Sequence, residues 1–192
     1  MVYAFFVCSI SSGTCKVLYS VIFANEKTVS GNALADDQRE INKKNIAFVA
    51  SKVQSEFSFR GAVNTSISNA GELAKNTGPN TAMTSGIFRL YPAQPFTTEK
   101  IVIWKVQKSC GMGMICERYE NRIMAEAILV KILKFAQQHC NLLERPHEVV
   151  LKPDRMEAVL HHFLPSGQLL FMNHRVVRQL EKELNLTINN KS

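Results

Sequence analysis

The residues whose types could carry chemistry are few, and their spacing does not suit it. His161 and His162 are adjacent. Neighbours on a helix point about 100° apart, so the two rings cannot grip one metal ion from a single face. His139 beside Cys140 fails for the same reason. A nucleophile needs a base within hydrogen-bond reach, and the chain contains no GxSxG, no HExxH and no cysteine-protease signature that would supply one. Gly111-Met112-Gly113 lacks the third glycine and the Lys-Ser/Thr pair of a phosphate loop, and reads instead as a hairpin turn. Trp104 alternates with Ile103 and Lys105 as on a strand with one packed face, which assigns it to the core or to a subunit contact.

The five cysteines, Cys8, Cys15, Cys110, Cys116 and Cys140, include no CxxC pair and sit in apolar segments, where a free thiol behaves as a small hydrophobe. This usage fits a reducing compartment and offers neither a disulfide framework nor a zinc site. No catalytic residue, metal ligand or cofactor emerges, so the expectation is a protein without enzymatic activity. An enzyme would require titratable groups converging in a pocket, which only coordinates can show.

With 192 residues, 46% of them hydrophobic, the chain can bury one sizeable core and does not demand two, so a single domain over 1–192 is expected. The 23 Lys and Arg against 16 Asp and Glu leave a charge of +7, which favours acidic partners. The basic residues are scattered, however, with Lys43-Lys44 the only adjacent pair, and this argues for a solvated surface and against nucleic acid. MVYAFFVCSI has no basic n-region and its apolar run ends at SSGT, so it reads as a buried strand rather than a leader. Nowhere do enough apolar residues run together to span a bilayer, and membrane contact is expected to be peripheral.

The elements follow from periodicity. Val2 to Ile10 and Cys15 to Ala24 form a hairpin turning at SSGT. Asp36 to Phe57 repeats Ile41, Asn45-Ile46, Phe48-Val49 and Val53 at helical spacing, with Asp36 or Asp37 as N-cap. Residues 60–84, rich in Asn, Thr, Ser and Gly, predict a flexible loop. Gly86 to Tyr91, Lys100 to Lys108 and Met112 to Arg118 read as strands, the last two joined by a turn at Ser109-Cys110-Gly111. Glu120 to Leu143 predicts a helix with Ile123, Ala127, Ile128, Ile132, Phe135 and Ala136 on its apolar face. Pro153 to Phe163 predicts another helix. Leu169 to Met172 predicts a short extended piece, and a terminal helix from Asn173 to Leu184 is capped by Asn173. The order fits an α+β domain: a five-stranded antiparallel sheet flanked by helices.

Several segments carry a resemblance: MVYAF, CKVLYSVIF, SGIFRL followed by PF, IVIW, and above all DRMEAVLHHFLPSGQLLFMNHRVVRQLEKEL at Asp154 to Leu184. In these the chain resembles, end to end, the sigma subunits of the fifth adaptor protein complex, distant relatives of the clathrin-adaptor small chains. The resemblance implies a longin-like fold and a non-catalytic role in endosomal vesicle transport and cargo sorting. It implies as partners two large chains (zeta and beta) and a medium chain (mu) of a heterotetramer, with the scaffolds spatacsin and spastizin. It further implies cytoplasmic residence at late endosome and lysosome membranes. The resemblance assigns no position here to the dileucine pocket of classical sigma chains, and cargo binding stays open. Other longin-type subunits, such as a coatomer zeta-like chain or a transport tether, would share the fold and differ in partners. The apolar cluster around Gly167, namely Phe163, Leu164, Leu169, Leu170 and Phe171, is the candidate subunit interface. Its alternative is to pack the domain's own core.

Overall fold

A computed structural model describes residues 1–11, 14–24, 35–69, 83–93 and 95–189. Five strands form one antiparallel sheet in the order β2-β1-β5-β4-β3. They are β1 (Val2–Ser11), β2 (Thr14–Ile22), β3 (Thr84–Leu90), β4 (Lys100–Gln107) and β5 (Cys110–Glu117). One face carries the long helix α1 (Ala35–Asn69). The other carries α2 (Arg122–Cys140), the short α3 (Glu148–Leu151), α4 (Pro153–Phe163) and α5 (His174–Asn189). This is the α+β, longin-like arrangement that the sequence predicts.

Because successive strand side chains point to opposite faces, a sheet covered on both sides needs strands that are apolar throughout. In β1, Phe5 and Val7 enter the core beneath α2, while Phe6 and Cys8 enter the core beneath α1. In β4, Ile101 and Ile103 face α2, and Val102 and Trp104 face α1. Trp104 is therefore a core residue of a strand buried on both faces, not of one with a single packed face. Lys105 also lies buried in that strand, and its ammonium donates to Glu126 of α2 at 2.8 Å.

Several expected boundaries move for identifiable reasons. Residues 60–69, expected to be loop, continue α1 to Asn69, and Thr84 already belongs to β3; the intervening 70–82 lie outside the described residues, as do Ser12-Gly13 of the first turn. The Ser and Asn content of 60–69 lowers helix propensity only slightly and does not forbid a helix already nucleated upstream. Asp36 and Asp37 fall inside the first turn of α1 rather than at its cap.

The β4–β5 turn is Lys108-Ser109, with Lys108 in the left-handed region, so Cys110, Gly111 and Gly113 are strand residues. Gly113 makes room for a ring: a Cβ there would run into the tip of Phe6. The Gly-Met-Gly triplet thus serves close packing rather than a turn. Helix α2 ends at Cys140, because Asn141 adopts the left-handed conformation and its N–H reaches the Gln137 carbonyl at 3.1 Å. Helix α5 runs beyond Leu184 to Asn189, and the Asn173 side chain caps it by accepting from the Val176 N–H at 2.9 Å.

Candidate subunit-docking surface

The segment PSG, Pro165–Gly167, reverses the chain after α4. Ser166 and Gly167 both take positive φ, and the Gln168 N–H closes the turn on the Pro165 carbonyl at 2.9 Å. Gly167 is required here on two counts: its φ is +76°, and an added Cβ would sit 2.6 Å from both the Val2 carbonyl oxygen and Phe23 Cβ. From this anchored turn, residues 168–173 run without regular secondary structure to the capped start of α5. Leu169 to Met172, expected as a short extended piece, lie within this stretch between two helical segments. Held at both ends, the segment lies across the first turns of α2.

This geometry divides the five residues nominated from sequence. Phe163 and Leu164 are fully buried; Phe163 stacks on Phe135 of α2 with ring centroids 4.5 Å apart and 17° between planes. They pack the domain's own core. Leu169 is half-buried against the same core. Leu170 and Phe171 point out, 41% and 81% exposed. Alongside them stands Ile123 at 83% exposure, a residue expected on the packed face of α2.

The packed stripe is instead Ala125, Ile128, Leu129, Ile132, Phe135 and Ala136. Ile123 precedes Ile128 by five positions, about 140° around the helix, and so leaves that stripe; Ala127 is exposed as well. That angular offset is the signal in the sequence for an outward-facing residue. Together Ile123, Met124, Ala127, Leu170, Phe171 and Met172 line an open apolar groove of about 320 Å³, with Asn121 and Lys131 as its polar members.

The acidic groups nearby are already engaged. Glu120 is paired with the Met1 ammonium, and Glu126 accepts from Lys105 at 2.8 Å. Among the described residues, Lys131 is the one charged side chain in the lining. A contiguous outward apolar patch of this kind is what a protein-protein contact needs.

The residues that first suggested chemistry are dispersed or satisfied. His162 Nδ1 lies 2.8 Å from the Ala158 carbonyl, and its ring stands perpendicular to that of His161. Among the described residues no group of three or more His, Cys, Asp or Glu could hold a metal ion. Burial pushes the Cys110 and Cys116 thiols up to about 12 and Cys140 up to about 11, which keeps them protonated and inert.

His139 is the exception among them, a side chain whose protonation is coupled to folding. Its Nε2 is buried without a partner among the described residues, and burial first, then the Arg155 guanidinium of α4, hold its pKa below the ordinary 6.5 against the opposing pull of Glu181 on α5. The unfolded chain therefore takes up the proton first, so stability is intact above pH 6.5 and is lost as pH falls from there through the folded value. His139→Gln is expected to flatten the fall in Tm on mild acidification, as read by thermal denaturation across that window.

Three comparisons bear on identity. The family model described as AP-5 complex subunit sigma-1 matches residues 1–185. Human AP-5 complex subunit sigma-1 is 32% identical over 197 positions, which cover 95% of this chain and 96% of the human protein. The mouse protein of the same name is 27% identical over 158 positions, covering 74% of this chain and 90% of its own length. With the family's full extent matched and the sheet-and-helix arrangement in place, the chain belongs to the AP-5 complex subunit sigma-1 family, the non-catalytic small subunits of an adaptor complex in endosomal protein transport.

Proposed function

We propose that this chain, as a single domain over 1–192, docks onto a large subunit of the adaptor complex through the groove formed by the start of α2 and residues 168–173. The observation that carries the reading is the exposure of Phe171 and Ile123, 81% and 83%, together in the lining of one apolar groove. Aromatic and aliphatic anchors of this kind fill pockets at the centre of obligate interfaces, where a few residues supply most of the affinity. Phe163 and Leu164 support the surface from beneath rather than touching the partner.

The two large chains, zeta and beta, and the medium chain mu complete the proposed heterotetramer, with spatacsin and spastizin as further partners of the assembly. The late endosome and lysosome are the proposed place of action. No described helix is long and apolar enough to cross a membrane, which suits peripheral attachment through the complex. The test is mass spectrometry of proteins recovered with the tagged chain from its native cells at moderate salt. Zeta, beta and mu chains in amounts similar to the bait are expected. Recovery of a different coat's subunits, or of partners lost on nuclease treatment, would overturn the reading.

A further inference from the structure

Two of the five cysteines share a face of the sheet at its β2 edge. In the β1–β2 register Ile10 lies opposite Cys15, and Cys8 stands two residues before Ile10, so Cys8 and Cys15 project to the same side as diagonal neighbours. Cys8 belongs to the core beneath α1 and Cys15 packs against that core, whereas Cys110, Cys116 and Cys140 all belong to the core on the opposite face. The sheet itself therefore separates this pair from the remaining thiols.

The two sulfurs differ in access. Cys8 is fully buried, and Cys15 is half-buried, within reach of a small solute. Gly111 of β5 leaves the space that Cys8 Sγ occupies, since a Cβ at that position would come 2.9 Å from it. The mutual influence of the two neighbouring sulfurs holds the Cys15 thiol below its ordinary value and, with burial, pushes that of Cys8 up. An accessible thiol on the surface side, with a second thiol buried behind it, is the arrangement in which oxidation stops at a disulfide instead of proceeding to sulfinic acid.

We propose that Cys15 and Cys8 form a peroxide-responsive thiol pair, with Cys15 as the attacking thiol and Cys8 as the resolving one. The Cys15 thiolate attacks hydrogen peroxide; an S–O bond forms, the O–O bond breaks, and the leaving hydroxide takes a proton to become water. The Cys8 sulfur then attacks the Cys15 sulfenic acid. An S–S bond forms, the S–O bond breaks, and the proton of Cys8 leaves with the second water. Two thiols lose two electrons in total, and one peroxide becomes two waters.

Tryptic cleavage after Lys16, the first basic residue, leaves both cysteines on the peptide 1–16. The folded full chain is treated with hydrogen peroxide, alkylated, digested and weighed. Peptide 1–16 is expected to lose two hydrogens and resist alkylation, and to regain both reactive thiols after reduction. In Cys8→Ser, Cys15 is expected to be trapped by dimedone as a sulfenic acid; in Cys15→Ser, Cys8 is expected to stay a thiol. Two alkylated thiols in the treated wild type, or a sulfinic Cys15 there, would overturn the proposal, and the wild-type reading alone decides it if a variant fails to fold.

Discussion

Replacing Phe171 with Asp is expected to remove the chain from the adaptor complex while leaving its own fold intact. At 81% exposure the ring contributes little to the isolated domain, so a carboxylate there stays in water and costs the folded chain almost nothing. In the assembled complex the same carboxylate would be buried without a partner. Losses at central interface anchors run to about 2–4 kcal/mol, which corresponds to a weakening of roughly 30-fold to 1,000-fold.

Phe163→Asp should behave in the opposite order. That ring is fully buried on Phe135, and a carboxylate in its place unfolds the domain before docking is at issue. Thermal denaturation of the isolated variants, beside co-purification with the large chains, separates the two cases. If Phe171→Asp is still recovered with the large chains at wild-type levels, the groove is not the docking surface.

Gly167→Ala is expected to be among the most damaging of single-methyl additions in this chain. The residue sits at φ +76°, and the new carbon would meet the Val2 carbonyl oxygen and Phe23 Cβ at 2.6 Å, atoms fixed to the backbone at the start of β1 and the exit of β2 that cannot swing away. Backbone strain of about 1–3 kcal/mol adds to overpacking of about 1–3 kcal/mol. For a domain of this size the fall in Tm is on the order of 5–15 °C.

Gly61→Ala provides the contrast. Gly61 lies exposed within α1 with nothing within 4 Å of where the new methyl would sit, and the same change there should stabilise by about 1 kcal/mol through helix propensity. The two melting curves moving in the same direction would contradict the assignment of Gly167 as the pivot that aims residues 168–173 across α2.

Local chemistry makes much of the secondary structure readable. Pro153 at the start of α4, Asn173 at the cap of α5 and the continuous apolar runs of β1 and β4 each act through neighbouring residues, so their consequences can be inferred without a partner element in view. Sequence and structure part where the deciding interaction is distant. The glycines at 111 and 113 look like a turn in sequence, and only the approach of Cys8, Ile10 and Phe6 from β1 makes them packing positions. Trp104 looks half-exposed because Lys105 follows it, but Glu126, on a helix formed later in the chain, lets that lysine be buried. The extent of α1 is not legible because weak propensity does not decide where an established helix stops.

By itself the sequence determined the class of fold, the absence of recognisable catalytic spacing, and the likeness to adaptor small chains, since these rest on periodicity, composition and motif residues close together in the chain. It also drew attention to the apolar cluster around Gly167. What tertiary structure alone decided is which members of that cluster face outward. Phe163, Leu164, Leu170 and Phe171 are equally apolar, and hydrophobicity does not record direction. The left-handed turn at Ser166-Gly167 and the packing of α4 against α2 send the first two inward, and the same turn lays the last two beside Ile123 in the open groove.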